Sequence, residues 1–322
     1  MSKSRRDFVK TAAGLGLAAG LVSAKSTADI PRRKLGKTDM DVTIVGLGGA
    51  RTGNLMDQQQ ALDTIRRCYD LGVNYFDTAA AGAYGISQQR YGIALGDVRD
   101  KIYLGTKTRH RTRAHSQLDL NQSLRNMKTD YLDLYQVHNV MHQMDLDFIF
   151  GLHGLMEMIE AAKKAGKIRY VGVTGHMDPR ILKKAIEMYD FDTVLIPLSV
   201  TDGANNELSF EKTTLPLAKK KGMGVIAMKT TGAGGLLSGN VAKLDDCLNY
   251  AWSLPISTAI LGCTTVEQVE ADVRLATAWE QLNDSRMSGL RKKYAEVDFA
   301  ALEPWKVDQM KQAAALPRYV GD

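Results

Sequence analysis

Cysteine is scarce in this chain: Cys68, Cys247 and Cys263 are the only three in 322 residues, and they stand far apart. With no CxxC pair, neither an iron–sulfur cluster nor a zinc ribbon is offered. One disulfide is arithmetically possible, but each cysteine lies in an apolar or helical stretch, where a thiol behaves as a small buried hydrophobe. Long apolar runs are also missing. None reaches the roughly 20 residues that a bilayer span needs, so no stable membrane anchor is expected. Basic runs interleaved with aromatics are absent, which excludes the common nucleic-acid surfaces. The net charge is only +6, and Lys3, Arg5, Arg6 and Lys10 against Asp7 supply half of it. Repeats, low-complexity stretches and internal domain boundaries are lacking as well.

What is present is an ordinary globular composition, 44% hydrophobic and 24% charged, enough for a core of normal size. The most legible processing signal is at the start. Ser4-Arg5-Arg6-Asp7-Phe8-Val9-Lys10 matches the twin-arginine export pattern: paired Arg, an apolar pair, then Lys. The Gly- and Ala-rich run Thr11–Ala24 follows and closes on Val22-Ser23-Ala24, a small-x-small cleavage site. The expectation is a signal peptide over 1–24, one domain over 25–322, and export of the folded protein to the periplasm by the twin-arginine machinery.

From Val42 onward, short β-rich runs alternate with amphipathic stretches of helical period, the pattern of a parallel sheet with crossover helices. Strands are predicted at Val42–Gly48, Asn74–Thr78, Ile102–Lys107, Tyr131–His138, Tyr170–Thr174, Thr193–Val200, Gly224–Lys229 and Thr258–Gly262. Helices are predicted at Gln58–Leu71, Gln117–Met127, Gly154–Ala165, Arg180–Tyr189 and Val266–Ala278, with Gly72, Gly166 and Gly222 placed as C-caps. Eight βα units of this size suit a closed (β/α)8 barrel, a TIM barrel, better than an open doubly wound sheet. The open sheet would announce itself by GxGxxG, and Gly46-Leu47-Gly48-Gly49 lacks the helix and acidic residue that should follow. Residues 30–41 read as a hairpin capping the barrel bottom, and Ser285–Val297 as an extra C-terminal helix.

Catalytic groups in such a barrel sit at the C-terminal strand ends. Those ends give Asp77, Lys107 and His138 on successive strands, with Tyr84 in the loop after the second. Together they form a coherent set for moving a hydride to or from a carbonyl. A tyrosine hydroxyl is a poor acid at neutral pH; an ammonium at Lys107 would favour its phenolate and lower its pKa. Asp77 would orient Lys107, His138 would orient the carbonyl oxygen, and Tyr84 would act as general acid or base.

The segments Gly72-Val73-Asn74-Tyr75-Phe76-Asp77-Thr78-Ala79, Tyr84-Gly85-Ile86-Ser87, Gly105-Thr106-Lys107 and Asp130-Tyr131-Leu132-Asp133-Leu134-Tyr135-Gln136-Val137-His138 occur in an order that resembles the signature regions of the aldo-keto reductase superfamily. The opening Arg33-Lys34-Leu35-Gly36-Lys37-Thr38 belongs to the same likeness, which covers about residues 32 to 280. The resemblance implies a (β/α)8 barrel, an Asp77-Tyr84-Lys107-His138 tetrad, a small-molecule carbonyl substrate, and NADP(H), with NAD(H) open, lying across the barrel mouth.

Four features depart from the family pattern. The stretch Ala79–Ala83 is longer than usual, so Tyr84 must reach the site through a reshaped loop; Tyr75, within a strand, and Tyr91 are weaker candidates. Where the family holds the nicotinamide amide, this chain has Thr174-Gly175-His176 and Leu195, which leaves His176 as a substitute or a pocket wall. Met228 replaces the tyrosine that stacks on nicotinamide. In the last βα loop, Gly262 and Thr264 offer a phosphate cradle at a helix N-terminus, while Asp272 takes the place of an adenine-contacting Asn. No Lys or Arg lies between Gly262 and Asp272, and Glu267 would repel a 2′-phosphate. Gly48 at the first strand end and Lys229 beside the Thr231–Gly235 glycine run complete the expected cofactor contacts, Lys229 neutralising pyrophosphate.

Two other readings are carried forward. Among six histidines, His110, His138 and His176 fall at or past strand ends, which invites a metal-dependent barrel hydrolase using His138 and His176. Against it, the first strand has no His-x-His and only Asp77 is a carboxylate placed with them. The other reading is a non-catalytic, cofactor-binding or sensory barrel, which the replaced cofactor contacts would permit.

Overall fold

The computed structural model describes residues 29–80, 82–238 and 241–306. The predicted signal peptide lies outside the described residues. Strands β1 (Arg32–Lys34) and β2 (Asp41–Thr43) pair antiparallel as the expected hairpin. The barrel is closed by eight parallel strands: β3 (Val45–Gly48), β4 (Tyr75–Asp77), β5 (Tyr103–Thr108), β6 (Leu132–Val137), β7 (Ile168–Thr174), β8 (Thr193–Pro197), β9 (Gly224–Met228) and β10 (Thr258–Leu261), with β10 pairing back to β3. The predicted run Val42–Gly48 is thus divided between hairpin and barrel. Crossover helices, among them Gln58–Asp70, Arg113–Met127, Leu155–Lys164, Pro179–Met188 and Val266–Thr277, cover the outside, and Asp284–Lys293 follows the last unit.

Periodicity explains the layering. Inward residues Tyr75, Leu134, Leu195, Ile226 and Met228 fill the barrel, and Leu35, Met40 and Val42 of the hairpin plug its bottom. Outward strand residues pack under the helices in one continuous larger cluster; each fully buried aliphatic side chain contributes roughly 1.5–3 kcal/mol. The hairpin docks closely because Gly36 has no Cβ: one there would stand 2.0 Å from the Gly224 backbone nitrogen, and its φ of +58° belongs to the left-handed region that favours glycine. The three cysteines are buried and none is in a disulfide. Among the described residues, no helix is long and apolar enough to cross a membrane.

Candidate active site

Strand register sets the candidate group. Asp77 ends β4 beside Gly48 on one side and Gly105 on the other, and Lys107 of β5 pairs with Gln136 of β6. The side chains of Asp77, Lys107 and Gln136 are all buried. Lys107 forms an ion pair with Asp77, donates to the Thr78 carbonyl at 2.7 Å, and donates to the Tyr84 hydroxyl at 3.2 Å. Gln136 Nε2 donates to the other Asp77 oxygen at 2.8 Å. Sequence reasoning missed Gln136; its only signal was one amide within the otherwise apolar inward face of β6.

The longer loop does bring Tyr84 to Lys107. A short helical turn, Gly49–Gly53, follows β3 and serves as its backrest. Asn54 donates to the Ala83 carbonyl at 2.7 Å, and the Ile86 amide donates to Gly53 O at 3.2 Å. A Cβ at Gly53 would fall 1.9 Å from the Tyr84 carbonyl, so only glycine permits this seat. Tyr91 is buried with its hydroxyl on the Leu47 carbonyl at 3.1 Å, and Tyr75 is in the inner core; neither competes for the site.

The electrostatics correct one expectation. Burial pushes the Tyr84 hydroxyl above its ordinary value, and the opposing pull of Lys107 does not outweigh it. Tyr84 therefore keeps its proton at neutral pH. Burial also opposes the charge on Lys107, but Asp77 and Tyr84 more than compensate and hold the ammonium above its ordinary pKa. Burial pushes the Asp77 carboxyl up against Lys107 and Gln136.

His138 follows β6, with Nδ1 and the Thr174 hydroxyl 2.7 Å apart. Burial, then the positive charges of Lys107, Arg109, Arg111 and Lys229, hold its pKa well down, so the ring is neutral. The His176 ring meets it edge-on at 5.3 Å. The amide of His176 donates to Asn139 Oδ1 at 3.0 Å, and Lys229 Nζ lies 2.7 Å from its Nδ1. Lys229 thus turns to His176 rather than to the glycine run, and Trp305 of the C-terminal segment covers its amine at 4.2 Å. Met228 belongs to the inner core and closes it at the mouth.

The last loop is arranged otherwise than expected. The Thr264 amide and hydroxyl donate to Gln268 Oε1 at 2.8 and 3.2 Å, and the Thr265 hydroxyl accepts from the Gln268 amide at 3.3 Å. The helix N-terminus is capped by its own side chains. Asp272 is buried, accepting from the Cys263 thiol at 3.2 Å. The missing cation comes from the first loop instead. The Arg51 stem crosses Gly262, where a Cβ would stand 2.7 Å from its Cγ, and its guanidinium donates to the Ala233 carbonyl at 3.2 Å. Arg51 went unnoticed in the sequence because more than 180 residues separate it from either loop.

Among the described residues no group of three or more His, Cys, Asp or Glu could hold a metal ion. His138 and His176 have a lysine amine beside them where a ligating carboxylate would be needed, and the metal-hydrolase reading is set aside on that ground.

The aldo/keto reductase family profile matches residues 44–249. The chain belongs to the aldo/keto reductase family. It is an oxidoreductase that interconverts carbonyl and alcohol with a nicotinamide cofactor, which removes the non-catalytic reading. The reductase is 28% identical to the oxidoreductase YqkF of Bacillus subtilis over 81% of this chain and 95% of that protein. It is 26% identical to L-galactose dehydrogenase of Arabidopsis thaliana over 86% and 96% of the two chains. Among solved structures, the holo form of aldo-keto reductase AKR11C1 from Bacillus halodurans aligns with a TM-score of 0.70 at 24% identity, covering 85% of this chain and all of that one. The residues present fit a dinucleotide: Gly234 leaves the loop after β9 open at the mouth, and Arg51 bridges the loops after β9 and β10 with a cation suited to phosphate oxygens.

Proposed function

We propose that the reductase acts on an aldehyde or ketone with Tyr84 as proton donor, and that it works in the periplasm after twin-arginine export. The observation that carries the chemistry is the 3.2 Å bond between Lys107 Nζ and the Tyr84 hydroxyl, in a group anchored by Asp77 and Gln136. Lys107 holds the hydroxyl in position and stabilises the phenolate that forms when the proton leaves. Asp77 keeps Lys107 charged, Gln136 keeps Asp77 oriented, and neutral His138 presents its second ring nitrogen to the carbonyl oxygen. When bound, the nicotinamide supplies the hydride. Gly48, Thr174, His176 and Met228 would hold its ring, and Arg51 with the Gly232–Gly235 turn, beside Gly262 and Thr264, would hold its phosphates.

The resemblance favours NADP(H). Glu267 at the last loop, whose pKa is held low by its own backbone amide and Thr265, favours NAD(H). Comparing the dissociation constants of the two nucleotides for wild type and Arg51→Met decides between them. The catalytic assignment is tested by Tyr84→Phe, which should bind nucleotide normally and lose carbonyl reduction by orders of magnitude; unchanged turnover would remove Tyr84 from the mechanism. Export is tested by replacing Arg5 and Arg6 with Lys, which should strand folded enzyme in the cytoplasm. Nicotinamide nucleotides are scarce outside the cytoplasm, so the exported enzyme should carry its nucleotide bound.

A further inference from the structure

The cations around His138 and His176 fall into two groups. Lys107 is taken by Asp77, Thr78 and Tyr84. Arg111 is taken by Asp145 at 2.9 Å and by the carbonyls of His138 and Asn139. Lys306, which bears on Lys229 rather than on the histidines, is taken by Asp202 and Glu303. Two remain. Arg109, just past the end of β5, is exposed, and no hydrogen bond or ion pair engages it in the described structure. Lys229 is bonded only to an imidazole and covered by Trp305. Neither histidine offers a countercharge, since both rings are held neutral by burial and by these same cations.

Lys229 is also strained. Its φ is +55°, a left-handed backbone at a residue with a Cβ, which crowds the following carbonyl. Strain of this kind, at an enclosed amine that no carboxylate pairs with directly and on which Glu303, committed to Lys306, acts only through space, marks a place prepared for a ligand.

On the reading that the site reduces carbonyls, we propose that its substrate carries a carboxylate: an oxo acid or aldehydic acid whose anionic end is held by Arg109 and Lys229. The placement supports the substrate rather than the dinucleotide phosphates, because Lys229 reaches His176, which abuts His138, while Arg51 serves the β9 and β10 loops. In the reaction the carbonyl carbon gains a hydride and the oxygen gains the Tyr84 proton. Oxidation of the dinucleotide supplies the two electrons, solvent reprotonates Tyr84, and the carboxylate leaves unchanged on a hydroxy acid.

The experiment compares kcat/KM for a panel of 2-oxo acids and aldehydic acids with that for their methyl esters, using wild type, Arg109→Met and Arg109→Lys. Binding of malonate, which cannot be reduced, is followed by calorimetry on the same proteins. The expected result is at least a tenfold preference for acids in wild type, lost in Arg109→Met with ester turnover retained, partly restored in Arg109→Lys, and paralleled by malonate binding. Esters reduced as well as acids, or malonate binding indifferent to Arg109, would overturn the proposal while leaving the reductase reading intact. No turnover of any carbonyl compound would instead sink that reading. Arg109 is exposed and unpaired, so its variants are expected to fold.

Discussion

Lys107 Nζ sits between the Asp77 carboxylate and the Tyr84 hydroxyl, bonded to both, with the Tyr84 oxygen 3.2 Å away. Removing one side of this arrangement has a different consequence from removing the other. Tyr84→Phe deletes only the proton donor, and the loss in kcat should be on the order of 10²–10⁴-fold, with stability near wild type because the ring stays over Lys107. Lys107→Met leaves a buried carboxyl without its cation and should lower stability by about 3–5 kcal/mol as well as activity. Chemical denaturation beside steady-state kinetics distinguishes the two. Equal destabilisation by both variants would contradict the assignment.

The shifted tyrosine gives a direction to the pH profile. Tyr84 is pushed above its ordinary value by burial, against Lys107 and with Asp77. The protonated hydroxyl is the active form in reduction, so reduction should be independent of this group from neutral pH upward and fall only as pH rises through its raised value. Oxidation needs the phenolate and should climb steadily with alkalinity. Measuring kcat in both directions against pH checks this; a reduction rate already falling between pH 7 and 9 would mean that Lys107 wins over burial after all.

The barrel was legible because its signals are local. Strand alternation, helix period and the C-cap glycines Gly72, Gly166 and Gly222, all with positive φ, act within a few residues. Asp77, Lys107 and His138 could be found because each closes a strand whose end the pattern already marks. Gln136 was hidden because one amide in an apolar strand reads as a minor blemish until Asp77 is placed beside it. Arg51, with Gly53 and Asn54 under the Tyr84 loop, was hidden for another reason: barrel closure brings β3 against β10, and nothing local states which loops will meet. Lys229 was found, but its direction was not, because a left-handed backbone at lysine is not announced by its neighbours.

The same Lys229 makes the preference for acids depend on pH. Burial lowers its pKa to about 7, with Glu303 opposing and Lys306 assisting, and His176 and Trp305 are its other neighbours. Carboxylate binding favours the ammonium, which is present below that value and lost as pH rises through it. The kcat/KM for a 2-oxo acid should therefore decline across neutrality, while that for its methyl ester stays level. Lys229→Met should flatten the acid profile. An unchanged decline in that variant would assign the titration to another group.

Lys306 ties the C-terminal segment that carries Trp305 to the barrel. Its amine is buried, donating to Asp202 at 2.6 Å and to Glu303 at 2.8 Å. Asp202 in turn accepts from the amides of Phe210 and Glu211 at 3.0 and 2.8 Å, so one carboxylate joins the segment to the start of the helix Phe210–Lys220. Lys306→Met would leave two carboxylates facing each other without a cation, and burial already pushes the Glu303 carboxyl above its usual range. The expected cost is about 3–5 kcal/mol. The double variant with Glu303→Gln should recover much of it, since one of the two stranded charges is gone and Asp202 keeps its amide donors. Thermal unfolding of both variants measures the difference, and quenching of Trp305 fluorescence by iodide reports whether the segment has left the mouth. If Lys306→Met unfolds like wild type with Trp305 still shielded, the segment is held by packing of Leu302 and Trp305 and the ion network is incidental.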